Sequence, residues 1–330
     1  MNVRHLISTT AVAGAAALGL VTLSACSGAT DATEKGKGGK LDVVASFYPM
    51  QFLAEQIGGD HVAVTTLTKP GVEPHDLELK SSQIRELGRA DYVLYLKGLQ
   101  PAVDDAIQQA GVKNTVDAAT LTKLEEHSTS TDGHAHEAEE HGDEHGHEDE
   151  HGHEGEAGAD PHLWLDPAKY AEVAKGVGDS LAKADPENAA AYKKNTDALV
   201  KKLTALDTSF AQGLKNTTTR TFITTHSAFG YLAERYDLDQ EGIAGLDPES
   251  EPSPARMKEL QTLARKEKVS TVFFETLASD KTAKTLAQDT GLKTDVLDPL
   301  EGITDRSKGD DYFEVMESNL AALKKALGAK

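Results

Sequence analysis

Short apolar runs alternate with segments of helical period in both halves of the chain. In the first half, residues 41–46, 62–67, 92–96 and 115–116 predict strands with helices between them. The alternation returns in the second half, with strands predicted near 221–225, 270–274 and 294–297. Strands separated by helical patterns of about 10–15 residues make βαβ units on mostly parallel sheets. The expected fold is therefore α/β, with two lobes, each a mostly parallel sheet flanked by helices, and no residue-level repeat between them. Between the lobes, Asp185-Pro186 introduces a longer pattern. There Tyr192, Leu199, Leu203, Leu206, Phe210 and Leu214 recur at helical spacing, with lysines on the other face. Read as one helix over 186–215, this segment is about 45 Å long at 1.5 Å per residue, enough to cross a two-lobed protein and restrict hinge motion.

The N-terminus has a different character. Arg4 and His5 precede an apolar stretch over 11–23, the layout of a secretory signal, and Leu23-Ser24-Ala25-Cys26 follows. This tetrapeptide resembles a bacterial lipobox, in which the Cys thiol is diacylated and the chain is cut just before it. Cys26 is the single cysteine of the chain. The expectation is a lipoprotein signal peptide over 1–25, a flexible Gly/Ser/Thr/Lys-rich tether over 26–40, and a folded body held at the outer face of the cell membrane through Cys26.

Composition narrows the function classes. At about 150 residues per domain, 330 residues predict two domains with real cores. Thirty-four Lys and Arg face 54 Asp and Glu, a balance of −20, which disfavours nucleic-acid binding because no basic stripe is on offer. One cysteine excludes an intrachain disulfide and a Cys-based zinc cage.

Histidine carries the candidate chemistry. Of thirteen, eight crowd into one stretch: His127, His134, His136, His141, His145, His147, His151 and His153, among acidic neighbours and with almost no apolar residues. Such a segment cannot offset its own ordering entropy, so a disordered loop over about 125–159 is expected. Imidazoles beside carboxylates are also a compositional signal for auxiliary binding of zinc, copper or nickel. Three histidines have more specific settings. His75 sits in PGVEPHD just after a predicted strand, His162 lies in DPHLWLDP, and His226 ends the strand TFITT. Each is near the carboxyl end of a strand, where open α/β sheets place ligand crevices, and together they point to one shared metal site. His61 begins a strand and matches no such setting, which leaves it structural or exposed.

The segments GVEPHDLELKSSQIRELGRADYVLYLKGL, DPHLWLDP, TTHSAFGYLAERYDL, GLDPESEPSPARMKEL and VFFETLASDKTAKTLAQDTGLKTDVLDPLEG resemble the solute-binding lipoproteins of bacterial zinc and manganese ABC importers, cluster A-I, of the ZnuA/AdcA type. The resemblance covers essentially the whole mature chain. It implies two α/β lobes over 41–184 and 217–330, one rigid linker helix over 185–216, and an ion held in the cleft between the lobes. It makes His75 and His162 ligands from the first lobe and His226 a ligand from the second. A carboxylate commonly replaces this last histidine in manganese relatives, so His226 points to the zinc branch. Three neutral imidazoles suit Zn2+, whereas manganese prefers oxygen. For the fourth position the resemblance leaves Glu301, favoured, Asp298, or water. Glu275 is either a hydrogen-bond acceptor that orients a ligand imidazole or a strand-end residue facing solvent.

The implied function is high-affinity capture of Zn2+ outside the cytoplasm, by a monomer that delivers it to an ABC permease and its ATPase. The alternatives are a surface zinc buffer or adhesin, manganese specificity, or a zinc hydrolase. The enzyme reading is disfavoured because the pattern predicts no H-E-x-x-H helix, no G-x-S-x-G elbow and no phosphate loop; the string His147-Glu148-Asp149-Glu150-His151 falls in the segment expected to be disordered.

Overall fold

The computed structural model describes residues 39–127 and 159–330. The signal segment, Cys26, nearly all of the tether, and seven of the eight clustered histidines, His134, His136, His141, His145, His147, His151 and His153, lie outside the described residues.

The first lobe runs β1 (Leu41–Ala45), α1 (Tyr48–Gly58), β2 (Val62–Thr66), α2 (Ser81–Leu87), β3 (Tyr92–Tyr95), α3 (Pro101–Ala110) and β4 (Thr115–Asp117). A helical hairpin follows, α4 (Pro167–Ala184) and α5 (Ala189–Gly213). The second lobe runs β5 (Thr221–Thr224), α6 (Gly230–Arg235), β6 (Asp239–Gly242), α7 (Pro254–Lys266), β7 (Thr271–Phe274), α8 (Lys281–Thr290), β8 (Lys293–Val296) and α9 (Tyr312–Leu327). Each sheet has four parallel strands, and the order is equivalent in both: β2-β1-β3-β4 and β6-β5-β7-β8. The two-lobed parallel α/β fold read from the sequence is the observed one.

The central strands are apolar on both faces because both faces are covered. Leu41, Val43 and Ala45 of β1 and Tyr92 and Leu94 of β3 enter the main core, while Val44 and Val93 between them point into a smaller outer cluster with Leu67, Leu87, Val103 and Ile107. The second sheet repeats the arrangement. Phe222 and Phe273 face the main core, and Ile223 and Val272 face an outer cluster with Leu260 and Leu286. The main core is thus shared between the lobes and is filled by α1, α4, α5 and α9. Trp164, fully buried, is its pivot: its indole N–H donates to the Pro299 carbonyl at 2.7 Å, and Tyr312 O–H donates to the Trp164 carbonyl at 2.7 Å.

The long helical pattern resolves into two pieces. Pro186–Asn188 forms a 3-10 turn, and α5 proper has 25 residues, about 37 Å at 1.5 Å per residue rather than about 45 Å. The turn is held by Asp185, whose carboxylate accepts from Asn188 Nδ2 at 2.7 Å and Tyr192 O–H at 2.8 Å. The apolar stripe of α5 is buried as expected: Tyr192, Leu199, Leu203, Leu206 and Phe210 all face the core. Helices α4 and α5 approach closely at Gly178, where a Cβ would lie 2.2 Å from Thr196 Oγ1. His61 packs edge-on against Tyr192 with ring centroids 6.0 Å apart.

Strand β6 escaped the hydrophobic pattern because its sequence is Asp239-Gln240-Glu241-Gly242. It is an edge strand that pairs only with β5, through its backbone, and polar side chains suit such an edge. Among the described residues no helix is long and apolar enough to cross a membrane.

Candidate metal centre

Three of the four site residues follow the carboxyl ends of parallel strands, and the fourth, His162, lies in the turn before α4. His75 lies in the turn-rich connection after β2, where Val72 N–H bonds the Lys69 carbonyl and Leu77 N–H bonds the Pro74 carbonyl. His162 precedes a 3-10 turn, Leu163–Leu165, and the helix start that follows is dictated by Asp166-Pro167: the Asp166 carboxylate caps Ala168 N–H at 2.7 Å and Pro167 takes the first helical turn. His226 lies two residues past β5, and Glu301 follows β8.

These side chains converge. Glu301 Oε1 stands 3.3 Å from His75 Nε2, 3.3 Å from His162 Nε2 and 3.5 Å from His226 Nε2. One ligand atom from each of the four residues lies within 4.8 Å of the others, and among the described residues this is the one such group of His, Cys, Asp and Glu. Two donors about 2.0–2.1 Å from a tetrahedral ion are about 3.3–3.4 Å apart, so the spacing suits a zinc-sized cation better than the 2.7–3.2 Å of ordinary hydrogen bonds. His162 Nε2, His226 Nε2 and Glu301 Oε2 are buried without a hydrogen-bond partner, a costly arrangement unless something satisfies them.

The tautomers are set from behind. Asp160 Oδ1 accepts from both Nδ1 of His162, at 2.7 Å, and the His162 backbone N–H, at 2.9 Å. Glu275 Oε1 accepts from His226 Nδ1 at 2.8 Å and from Thr225 O–H at 2.6 Å. With Nδ1 protonated, each Nε2 lone pair points into the cluster, as ligation by neutral imidazole requires. Burial disfavours the His162 cation, but Asp160 and Glu301 raise its pKa above the ordinary histidine value. Burial acts likewise on His226, where Glu275 and Glu301 push the pKa well above that value. Burial pushes Glu301 up, and the three imidazoles overcome this and hold it well below the usual carboxylate range.

Of the two carboxylates considered for the fourth position, the structure brings Glu301 to the cluster and holds Asp298 away from it. Asp298 accepts from Leu300 N–H at 2.9 Å, Ser307 O–H at 2.9 Å and Thr276 O–H at 3.1 Å, so its oxygens brace the loop. The brace supports a left-handed backbone at Leu300, φ 59°, which costs a branched residue about 1–2 kcal/mol and turns the next side chain, Glu301, inward. Glu275 is 3% exposed and faces His226 rather than solvent.

Two residues were not singled out from sequence. Asp160 is fully buried beside His162, and its one available signal was its position two residues before that histidine. Glu73, in the loop that carries His75, has its pKa raised by burial and by the nearby charge of Glu301. His127, grouped with the His-rich stretch, is described and sits apart from the cluster, against Asp160 and Glu234.

Comparisons with known proteins identify the family. A family model described as the periplasmic zinc-uptake complex component A, ZnuA, matches residues 43–326. The zinc-binding lipoprotein AdcA of Streptococcus pneumoniae is 36% identical over 322 residues, which cover 94% of this chain and 59% of AdcA. The chain therefore spans about three fifths of the length of that relative. The high-affinity zinc uptake system protein ZnuA of Bacillus subtilis is 37% identical over 326 residues, covering 94% of this chain and 98% of that one. Among solved structures, the Zn(II)-bound ZnuA-like domain of S. pneumoniae AdcA matches with a TM-score of 0.70 at 33% identity, covering 88% of this chain and 99% of that domain. By the span of the family match, by these identities and by the shared architecture, the chain belongs to the ZnuA family of zinc-uptake components.

Proposed function

We propose that the chain is the extracytoplasmic zinc-capture component of an ABC importer. His75, His162 and His226 bind one Zn2+ through Nε2, Glu301 supplies the fourth ligand, and the loaded protein delivers the ion to a permease powered by its ATPase. Acylation of Cys26 holds the protein, a monomer, at the outer face of the membrane, and the His-rich segment adds weaker auxiliary binding. The observation that carries the reading is the convergence of three imidazole nitrogens on the buried Glu301 Oε1 at 3.3–3.5 Å, with two of those nitrogens and Glu301 Oε2 left without a hydrogen-bond partner. Three neutral imidazoles and one carboxylate favour Zn2+ over Mn2+, which prefers oxygen-rich sites. Four protein ligands also close a zinc site, whereas hydrolysis needs an open position for water, so capture is favoured over catalysis.

Competition titration of zinc against a chelating dye tests the ligand set. His75→Ala, His162→Ala, His226→Ala and Glu301→Gln are each expected to weaken the single tight site at least about a hundredfold, beyond the usual cost of losing an outer-sphere partner. Tight binding that survives all four substitutions overturns the assignment. Zinc uptake by cells lacking this chain, restored by the wild type and not by His226→Ala, separates import from surface buffering.

A further inference from the structure

Resting on the zinc site just described, we propose that His127 is a positioning residue for the ligand His162, acting through Asp160 and tied to the second lobe by Glu234. The contacts form one continuous line. Glu234 Oε2, on α6, lies 3.0 Å from His127 Nε2, His127 Nδ1 lies 2.7 Å from Asp160 Oδ2, and Asp160 Oδ1 lies 2.7 Å from His162 Nδ1. Asp160 has no solvent exposure, so each of its two oxygens faces one imidazole in a water-excluded place.

A buried carboxylate needs a compensating charge and full hydrogen bonding. An imidazole that faces carboxylates from both ring nitrogens donates twice only as the cation, so His127 meets both needs. Although burial disfavours the cation, Asp160 and Glu234 keep its pKa above the ordinary value.

The surroundings hold this pair in place. The His127 ring packs edge-on against Tyr231 with centroids 4.5 Å apart. The Tyr231 O–H donates to the Asp160 carbonyl at 2.8 Å and accepts from Glu125 N–H at 2.8 Å, and Asp160 N–H donates to the Glu125 carbonyl at 3.0 Å. Gly230 makes the room: a Cβ there would lie 2.5 Å from His127 Cγ and 2.8 Å from Asp160 Oδ2. Without His127, Oδ2 of Asp160 is buried with no other partner among the described residues, and the carboxylate loses its reason to hold the rotamer and charge that keep His162 Nδ1 protonated and Nε2 aimed at the ion. Loss of an outer-sphere partner of this kind typically costs 10–100-fold in metal affinity.

The test is competition titration of zinc into the full chain at neutral pH, comparing wild type with His127→Ala, His127→Asn and His127→Gln, and with His162→Ala as control. The Asn amide nitrogen stands where Nδ1 stands and can still donate to Asp160, while the Gln amide reaches the place of Nε2 and cannot. The expected result is tight-site affinity weakened about tenfold by Ala and Gln and partly restored by Asn, which keeps the hydrogen bond to Asp160 without the charge, a split that lost packing alone does not produce. Tight-site affinity unchanged in His127→Ala, or as weak in His127→Asn as in His127→Gln, overturns the proposal while leaving the zinc site standing. A wild-type chain with no tight site that His162→Ala removes overturns the site reading, and this proposal falls with it. If His127→Ala does not fold, the Asn and Gln pair decides alone.

Discussion

The two lobes have equivalent strand orders, yet they orient their site histidines by different means. In the second lobe the imidazole of His226 is held by Glu275, which is 49 residues distant and lies at the end of the neighbouring strand β7. In the first lobe the imidazole of His162 is held by Asp160, two residues away in the same turn. A strand-end carboxylate is positioned by the sheet itself. A turn carboxylate depends on what clasps the turn, and here that clasp is supplied by α6 of the other lobe through Tyr231. The first-lobe half of the site is thus completed by the second lobe, and a core shared between the sheets makes such dependence workable. Opening the lobes would expose the apolar surface around Trp164 and Tyr312 to water.

The strongest way to break this picture is to attack the shared core. Trp164→Ala is expected to cost about 3–5 kcal/mol of stability, and the remaining structure should still unfold in a single transition followed by denaturant titration and circular dichroism. Two separated transitions would mean that the lobes are independent and that the clasp on His162 is incidental.

Next in size, Asp160→Asn and Glu275→Gln compare the two orienting devices directly. Each is expected to weaken zinc binding about 10–100-fold in a competition titration, the range for outer-sphere partners. A loss confined to one of them would make the two lobes unequal contributors.

The pH response bears on the same pair, because two of the proposed ligand histidines, His162 and His226, carry raised pKa values in the metal-free protein. Zinc must displace protons from them, so affinity should fall with falling pH, and the decline should begin above the ordinary histidine value of about 6.5. Stability of the metal-free chain runs the other way. A raised folded-state pKa contributes stability that is fully present below about pH 6.5 and is lost as pH rises through the folded value. Calorimetry of the metal-free chain should therefore show the melting temperature dropping as pH rises above about 6.5, while zinc affinity increases over the same window. A melting temperature that rises with pH there contradicts the assigned pairing of His162 and His226 with buried carboxylates.

The smallest effect is expected at Asp298. Asp298→Asn should leave zinc affinity unchanged and lower stability by about 1 kcal/mol, from weaker bonds to Leu300, Ser307 and Thr276. A loss of affinity like that of Glu301→Gln would make Asp298 a participant in the site.

Seven of the eight strands among the described residues were legible from the sequence pattern, most clearly the central strands, which are buried on both faces. Strand β6 was not, since an edge strand is specified by backbone pairing to β5 and leaves no apolar trace in Asp239-Gln240-Glu241-Gly242. The three histidines stood out because each lies in a turn-forming motif, His75 and His226 after strands and His162 before α4. Glu301 was favoured over Asp298 from the sequence but not separated from it, as both are acidic residues of one loop.

What the sequence determined by itself was the alternation of elements, hence the parallel two-lobed fold, and the residue types able to bind zinc, because periodicity and ligand chemistry are local properties. What only the tertiary structure decided was direction. The left-handed turn at Leu300 sends Glu301 inward while hydroxyls hold Asp298 back, and Asp160 is buried against His127 from its own lobe while α6 of the other closes over both. Ligation needs lone pairs aimed at one point within tenths of an ångström, and that aim is set by contacts between segments far apart in the chain.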